Sequence, residues 1–477
     1  MNRNIIILAL LLLAVFATAL AFADDAAPPV APPAAPPGAL PSAPPGAPPV
    51  VPWPTFDLRM RNYVMYQNNT DFDPTKPLNN RYGLAIGYFA TTIEPGLRWT
   101  PIPQVTVRYQ AKIGENVWSR NNAEELDMTA PDTMLFQTEE AWSEVRLPGN
   151  VAIRAGYQFM HDPTRLFLDR HIGAAVVSVG WTGGSVSAIV GQLPNSFAPG
   201  STGEPPSGEL TTTYEPPTTN LDQNTFADSA IVYAVRADLN AGAWLVIPAV
   251  YALNDRIDPY RVENLVNPCA HVEGPLAPAV KLQLDAAVQA GGIRHGGVAD
   301  HDVNIFAYAG QVNVDMDWRP VRARFNAMVF SGDDQPNGLT QENYVYSGWS
   351  RSSTLMLAEN KLQDQYNNLD EVAAGARAGM ALVDGRVGYF PVDSLEIFGV
   401  AGWGRAMAAG LLDTRDPTIA TEGDLGLAWQ PYGPVATFTL AAIGLWPGKS
   451  GAMLVNDINL KACRTIYNGQ ALMDIKF

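Results

Sequence analysis

From Thr55 to the carboxyl end, apolar and polar residues alternate one for one, and this period of two constrains the fold more than any other feature. Val105, Val107, Tyr109, Ala111 and Ile113 share one face of a segment whose other face carries Thr106, Arg108, Gln110 and Lys112. Val321, Ala323, Phe325, Ala327 and Val329 repeat the pattern against Arg322, Arg324 and Asn326. Val312, Val314 and Met316 do so against Gln311, Asn313, Asp315 and Asp317. A tilted strand needs about 9–11 residues to cross a bilayer. Segments of that length with one apolar face predict strands that meet hydrocarbon on one side and water on the other.

The connections between segments are of two kinds. Leu147-Pro148-Gly149-Asn150, Trp181-Thr182-Gly183-Gly184, Asn240-Ala241-Gly242, Trp318-Arg319-Pro320 and Trp429 to Pro434 are short and carry turn residues. Asn116 to Met134, Asn195 to Thr225, Asp255 to Pro278 and Asp333 to Asp370 are long and polar, and read as loops. Short turns alternating with long loops predict an all-β fold: a transmembrane antiparallel β-barrel of about 16 strands, with 18 admitted. The turns lie in the periplasm and the loops outside. A barrel of that size is expected to hold an aqueous lumen rather than a packed core. Trp99, Trp181, Trp244, Trp318, Trp403, Trp429 and Trp446 fall near strand ends, as interfacial girdles require.

The amino-terminal region agrees with that compartment. Arg3 precedes the apolar run Ile5 to Leu13, which continues through Ala14 to Ala21 and ends in Ala21-Phe22-Ala23 ahead of Asp24. This pattern predicts a secretory signal peptide over 1–23, the alternative being an uncleaved anchor. The 24–54 segment is Pro/Ala-rich and reads as an extended spacer or a disordered tail. The barrel is assigned to 55–477. No later stretch reaches 18 consecutive apolar residues, the length a helical span needs.

Composition narrows the partners. A formal net charge of −16 argues against nucleic acid, which demands a basic face. Charged residues make up only 16% of the chain, as suits a wall facing lipid. Cys269 and Cys463 can pair in an oxidising envelope, but nothing in the sequence brings them together. The chain ends Met473-Asp474-Ile475-Lys476-Phe477, with Met473, Ile475 and Phe477 on one face. A terminal strand ending in Phe resembles the signal that bacterial barrel-assembly machinery reads, so that machinery is an expected partner alongside outer-membrane lipid.

Three further segments resemble the alginate export family of outer-membrane barrels. They are Glu144 to Gln158 with Asp162 to Leu166, Phe330-Ser331-Gly332-Asp333-Asp334, and Leu425 to Pro431 continuing to Leu445-Trp446-Pro447-Gly448. Tyr157 stands where the family usually has a second arginine. The resemblance spans roughly Phe56 to Phe477 and implies a porin or exporter whose basic pore passes polar or anionic solutes, a uronate polymer among them.

By alternation, Arg108, Lys112, Arg146, Arg154, Arg236, Arg322, Arg324 and Arg377 are the pore-lining candidates. They read either as a basic track for anions or as ion pairs that stiffen the wall, since Glu139, Glu140, Glu144, Asp238, Asp315 and Asp317 lie on neighbouring strands. Other chemistry is thinly supported. His295 and His301 flank Gly296-Gly297 without a metal-ligand spacing. Glu124-Glu125 and Asp333-Asp334 are acid pairs open to Ca²⁺ or simply solvated. The expectation is therefore a channel that is not an enzyme and carries no cofactor. Two other readings stay open: a barrel enzyme, for which His171 and Ser178 on one strand are the nearest approach, and a sheath around an electron-carrying cytochrome.

Overall fold

The computed structural model describes residues 53–67, 86–117, 136–193, 230–258, 261–295, 303–334, 340–344, 351–358, 378–408, 416–451 and 465–477. The strands are β1 (Thr55–Gln67), β2 (Ile86–Ile102), β3 (Val105–Val117), β4 (Phe136–Leu147), β5 (Val151–His161), β6 (Asp169–Trp181) and β7 (Gly184–Leu193). They continue as β8 (Ala230–Ala241), β9 (Trp244–Asp258), β10 (Arg261–Ala277), β11 (Val280–His295), β12 (Val303–Trp318) and β13 (Val321–Phe330). The last are β14 (Thr340–Gln341), β15 (Met380–Val392), β16 (Leu395–Arg405), β17 (Thr418–Trp429), β18 (Ala436–Pro447) and β19 (Ile466–Lys476).

β14 is a two-residue piece that runs parallel to β12 at Asn304 and Ile305. The other eighteen strands form an antiparallel ring in sequence order, with β13 pairing directly to β15. β1 meets β19 in register, Arg59 opposite Lys476, and this closes the sheet. Phe477 exchanges both backbone hydrogen bonds with Leu58 at the seam, at 2.8 and 3.2 Å. Closure satisfies the backbone groups that an open edge would leave bare, a requirement in lipid.

The two faces sort as the alternation demands. Leu284, Phe306, Tyr308, Phe325, Leu425 and Leu440 point outward and are exposed. Trp99, Trp181, Trp318 and Trp429 ring the end that carries the tight turns, and Trp403 and Trp446 stand near the other end. A closed barrel with an apolar outer belt between aromatic girdles belongs in the bacterial outer membrane. The tight turns mark its periplasmic end and the long connections its outer end.

Two sequence expectations are corrected. Asp255 to Pro278 is not a loop, because β9 extends to Asp258 and β10 runs from Arg261 to Ala277. Pro268 and polar inward residues disguise the strand. Pro268 has no N–H to give the ladder, and it stands opposite Val250 of β9 but has no partner in the β10–β11 register.

The lumen is also not simply aqueous. In the outer half of the barrel, inward residues such as Ile172, Val232, Tyr251, Leu265, Ile305 and Phe330 join one buried cluster. Leu166, Phe167 and Leu168 from the β5–β6 connection belong to it, as do Tyr344 and Leu357 from the long β13–β15 connection. Connections that fold inward thus fill part of a lumen the strands alone would leave open.

Candidate functional site

The seven described candidate cations are paired or held along the wall, mostly in its periplasmic half. Arg108, four residues into β3, donates to Asp57 at 2.7 and 2.9 Å and to Glu140 at 3.3 Å. Asp57 reaches it across β2 because Gly96 intervenes; a Cβ there would sit 2.2 Å from the Asp57 Oδ1. Glu144 accepts from Arg146 at 3.0 Å and from Arg154 at 2.6 Å, and the Arg154 guanidinium lies 4.4 Å above the Trp142 ring. Arg236 pairs with Asp238 at 2.7 Å on its own strand. Arg322 pairs with Asp317 at 3.1 Å and Arg324 with Asp315 at 2.6 Å, across the β12–β13 hairpin. Lys112 is half-buried on β3 and is also engaged. Arg377 lies outside the described residues.

The same geometry adds members that a search for isolated basic residues overlooks. Arg59 contacts Asp474 at 2.9 Å and Arg61 contacts Glu94 at 2.7 Å, beside the closing seam. Arg386 of β15 pairs with Glu396 at 3.0 Å and stacks 3.9 Å over Phe398. Lys281 pairs with Glu273 at 2.9 Å. Arg59 and Arg61 recur two apart on an inward face, as Arg322 and Arg324 do, so the period itself could have found them.

Above this belt, residues 351–358 lie inside the barrel, held by carboxylates of the wall. Glu422 on β17 accepts the N–H groups of Leu355, Met356 and Leu357, with Leu357 at 2.6 Å. Asp384 on β15 accepts from the Ser353 N–H at 2.9 Å and from Asn326 at 2.8 Å. Asp285 on β11 binds the Arg351 guanidinium at 3.0 Å and the His271 ring at 2.6 Å. Each carboxylate projects inward from a different strand, and together they clamp one short segment from three sides. Between the segment and the belt lies a cavity of about 270 Å³, lined by Arg322, Arg324, Arg386, Ser353, Leu355 and Phe398. A second, of about 580 Å³, opens beside it against Glu273, Lys281, Asp315 and Asp317.

The β5–β6 connection is a second inward element. Asp162 accepts from the N–H groups of Thr164, Phe167 and Leu168 and from the Thr164 hydroxyl, which folds the segment back on itself. Burial pushes its carboxyl up from the usual carboxylate range, and those donors pull the other way. The Tyr344 phenol, buried and donating to Asn267 at 3.0 Å, is pushed well above its ordinary value by the same loss of water.

Several sequence candidates fall elsewhere. Tyr157 points outward, stacked on His171 at 5.9 Å, so an arginine at that position of this chain would face lipid rather than the pore. His171 and Ser178 lie on opposite faces of β6, and His171 contacts Glu139 instead, at 3.3 Å. Asp333 is buried while Asp334 is exposed, so the two do not form one open site. Cys269 is a buried free thiol, and Cys463, Glu124, Glu125 and His301 lie outside the described residues. Among the described residues no three His, Cys, Asp or Glu side chains converge as metal ligands.

No protein-family model matches this chain, and no curated protein does. Solved structures do match. Pseudomonas aeruginosa OccK8 (OprE) superposes with a TM-score of 0.51 at 11% identity, covering 89% of this chain and 98% of that one. Pseudomonas aeruginosa OpdL gives 0.51 at 9% identity, with 89% and 98% covered. Pseudomonas aeruginosa OprD gives 0.50 at 10% identity, with 89% and 95% covered. These are outer-membrane barrels of the OprD/Occ porin group, and at such low identity the likeness establishes that this chain shares their eighteen-stranded fold.

Proposed function

We propose that the barrel is a passive outer-membrane channel for polar solutes, with a preference for small anions such as uronates. The observation that carries this reading is the clamped 351–358 segment facing a cavity lined by Arg322, Arg324 and Arg386. A narrowed, water-reachable passage edged by fixed guanidinium groups offers donors to a carboxylate while keeping bulkier solutes out. The eighteen-stranded likeness supports a channel. The inserted connections favour a small solute over a long polymer threading the lumen, and so separate this reading from export of a full-length polysaccharide.

Each arginine is already matched by an acid, so the anion preference is expected to be modest. It rests on the guanidinium groups being held at their posts rather than on surplus charge. Reversal potentials across a salt gradient in planar bilayers test the idea. The Arg322→Ala, Arg324→Ala double variant should shift selectivity toward cations. An unchanged reversal potential would sink the assignment of this pair as the filter. Assembly follows the same logic at the seam: Phe477 presents the terminal aromatic that the assembly machinery reads, and Phe477→Ala should lower the yield of folded barrel in the outer membrane.

A further inference from the structure

Most described cations in this barrel have an acidic partner; Arg98, Arg170, Arg405 and Lys449 have none among the described residues, and the last two share the outer rim of β16–β18. Arg405 ends β16 on the outward face, opposite Ala381, and is exposed. Lys449 is exposed just beyond β18, at the start of the β18–β19 connection, where residues 449–451 are helical. Neither side chain makes an ion pair or side-chain hydrogen bond among the described residues, in a chain whose formal net charge is −16.

The two belong to one patch. Arg405 stands opposite Thr418 of β17, and the Gly448 N–H donates to the carbonyl of the next residue, Ile419, at 2.7 Å. The Arg405 and Gly448 backbones are therefore about two strand spacings apart, roughly 10 Å, and Lys449 follows Gly448 directly. The segment that carries Lys449 is anchored, because the Ser450 hydroxyl donates to the Asp416 carbonyl. The Asp416 carboxylate accepts the Thr418 N–H at 3.0 Å. Toward the membrane on the same outer face, Trp403 pairs with Thr421 and Thr421 with Trp446, and both rings are exposed. Tyr467 stands next to them, opposite Gly444. Aromatic rings at this level mark the boundary between hydrocarbon and headgroups.

We infer that the outer rim of β16–β18 is a docking surface for a phosphorylated lipid of the outer leaflet. Its acyl chains lie against Trp403, Trp446 and Tyr467, and its phosphates meet Arg405 and Lys449. Charge complementarity selects this occupant. An uncharged lipid would leave both cations without partners, and a phosphate presents several acceptors to a guanidinium that nothing else engages. The inference does not depend on what the lumen transports.

Native mass spectrometry on the whole barrel in detergent, titrated with a phosphorylated lipid A and with its dephosphorylated counterpart, tests it. The wild type should retain the phosphorylated form and not the other. Arg405→Ala and Lys449→Ala should each lower retention about fivefold, and the double variant about thirtyfold. Arg405→Lys should keep most of the binding, and single-channel conductance should stay unchanged throughout, showing that the barrel is intact. Equal retention of both lipids, or a double variant that binds like wild type, would overturn the proposal. So would displacement of the lipid by millimolar inorganic phosphate alone, since the apolar contacts would then contribute nothing.

Discussion

Replacing Glu422 by glutamine should release the segment that narrows the lumen. The Glu422 side chain is buried, 1% exposed, and both oxygens are used. One accepts from Leu355 and from Met356 at 3.2 Å; the other accepts from Met356 at 3.1 Å and Leu357 at 2.6 Å. Hydrogen bonds to a charged acceptor contribute about 1.5–3 kcal/mol each, and a buried donor left bare costs about 1–3 kcal/mol. Glutamine keeps one acceptor and turns an amide nitrogen toward N–H groups that cannot bond to it. Losing one such bond and weakening the others costs the docked state about 3–5 kcal/mol. That changes the docking equilibrium by at least about a hundredfold. The Leu355 and Leu357 side chains remain packed, so the segment should flicker rather than leave for good. Single-channel recordings should show a larger mean conductance and new open-state noise. Thr421→Val, one position along β17 but facing lipid, should record like wild type. If Glu422→Gln gives conductance and noise indistinguishable from wild type, the carboxylate clamp does not hold the constriction and the reasoning fails.

Other expectations follow from the same contacts. Gly156 has φ +134 and its missing Cβ would lie 2.2 Å from the Ala141 carbonyl, so Gly156→Ala should destabilise the barrel by about 2 kcal/mol or more; a lower unfolding midpoint in detergent checks it. Arg154→Ala leaves the buried Glu144 with Arg146 alone at 3.0 Å and should weaken anion preference in reversal-potential measurements, while Arg154→Lys restores it only in part because the stacking on Trp142 is lost. In a Cys463→Ser background, Cys269 is 2% exposed and should resist a maleimide until the barrel is unfolded.

The period of two told where the strands run, because in lipid every backbone group must be paired within the sheet and every second side chain must be apolar. It was readable in Val105 to Ile113 and Val321 to Val329 without any structure. It failed at β10, where Pro268 and inward Asn267 and His271 look like loop residues, because a strand lining a lumen does not have to be apolar on either side of a proline. The candidate cations were legible for the same reason: Arg108, Arg154 and Arg324 sit at inward positions. Their acids were not, since Asp57 reaches Arg108 from two strands away, a pairing set by strand order and by the bare Gly96 between them.

Sequence alone determined a closed antiparallel barrel with its turns on one side, because that follows from local alternation and turn chemistry. Only the tertiary structure decided how the lumen is occupied. Glu422, Asp384 and Asp285 are distant in sequence from residues 351–358 and from one another, and they become one clamp only when the ring of strands turns them inward to the same point. Local patterning carries no information about what a ring encloses, since that depends on which strands face each other across it.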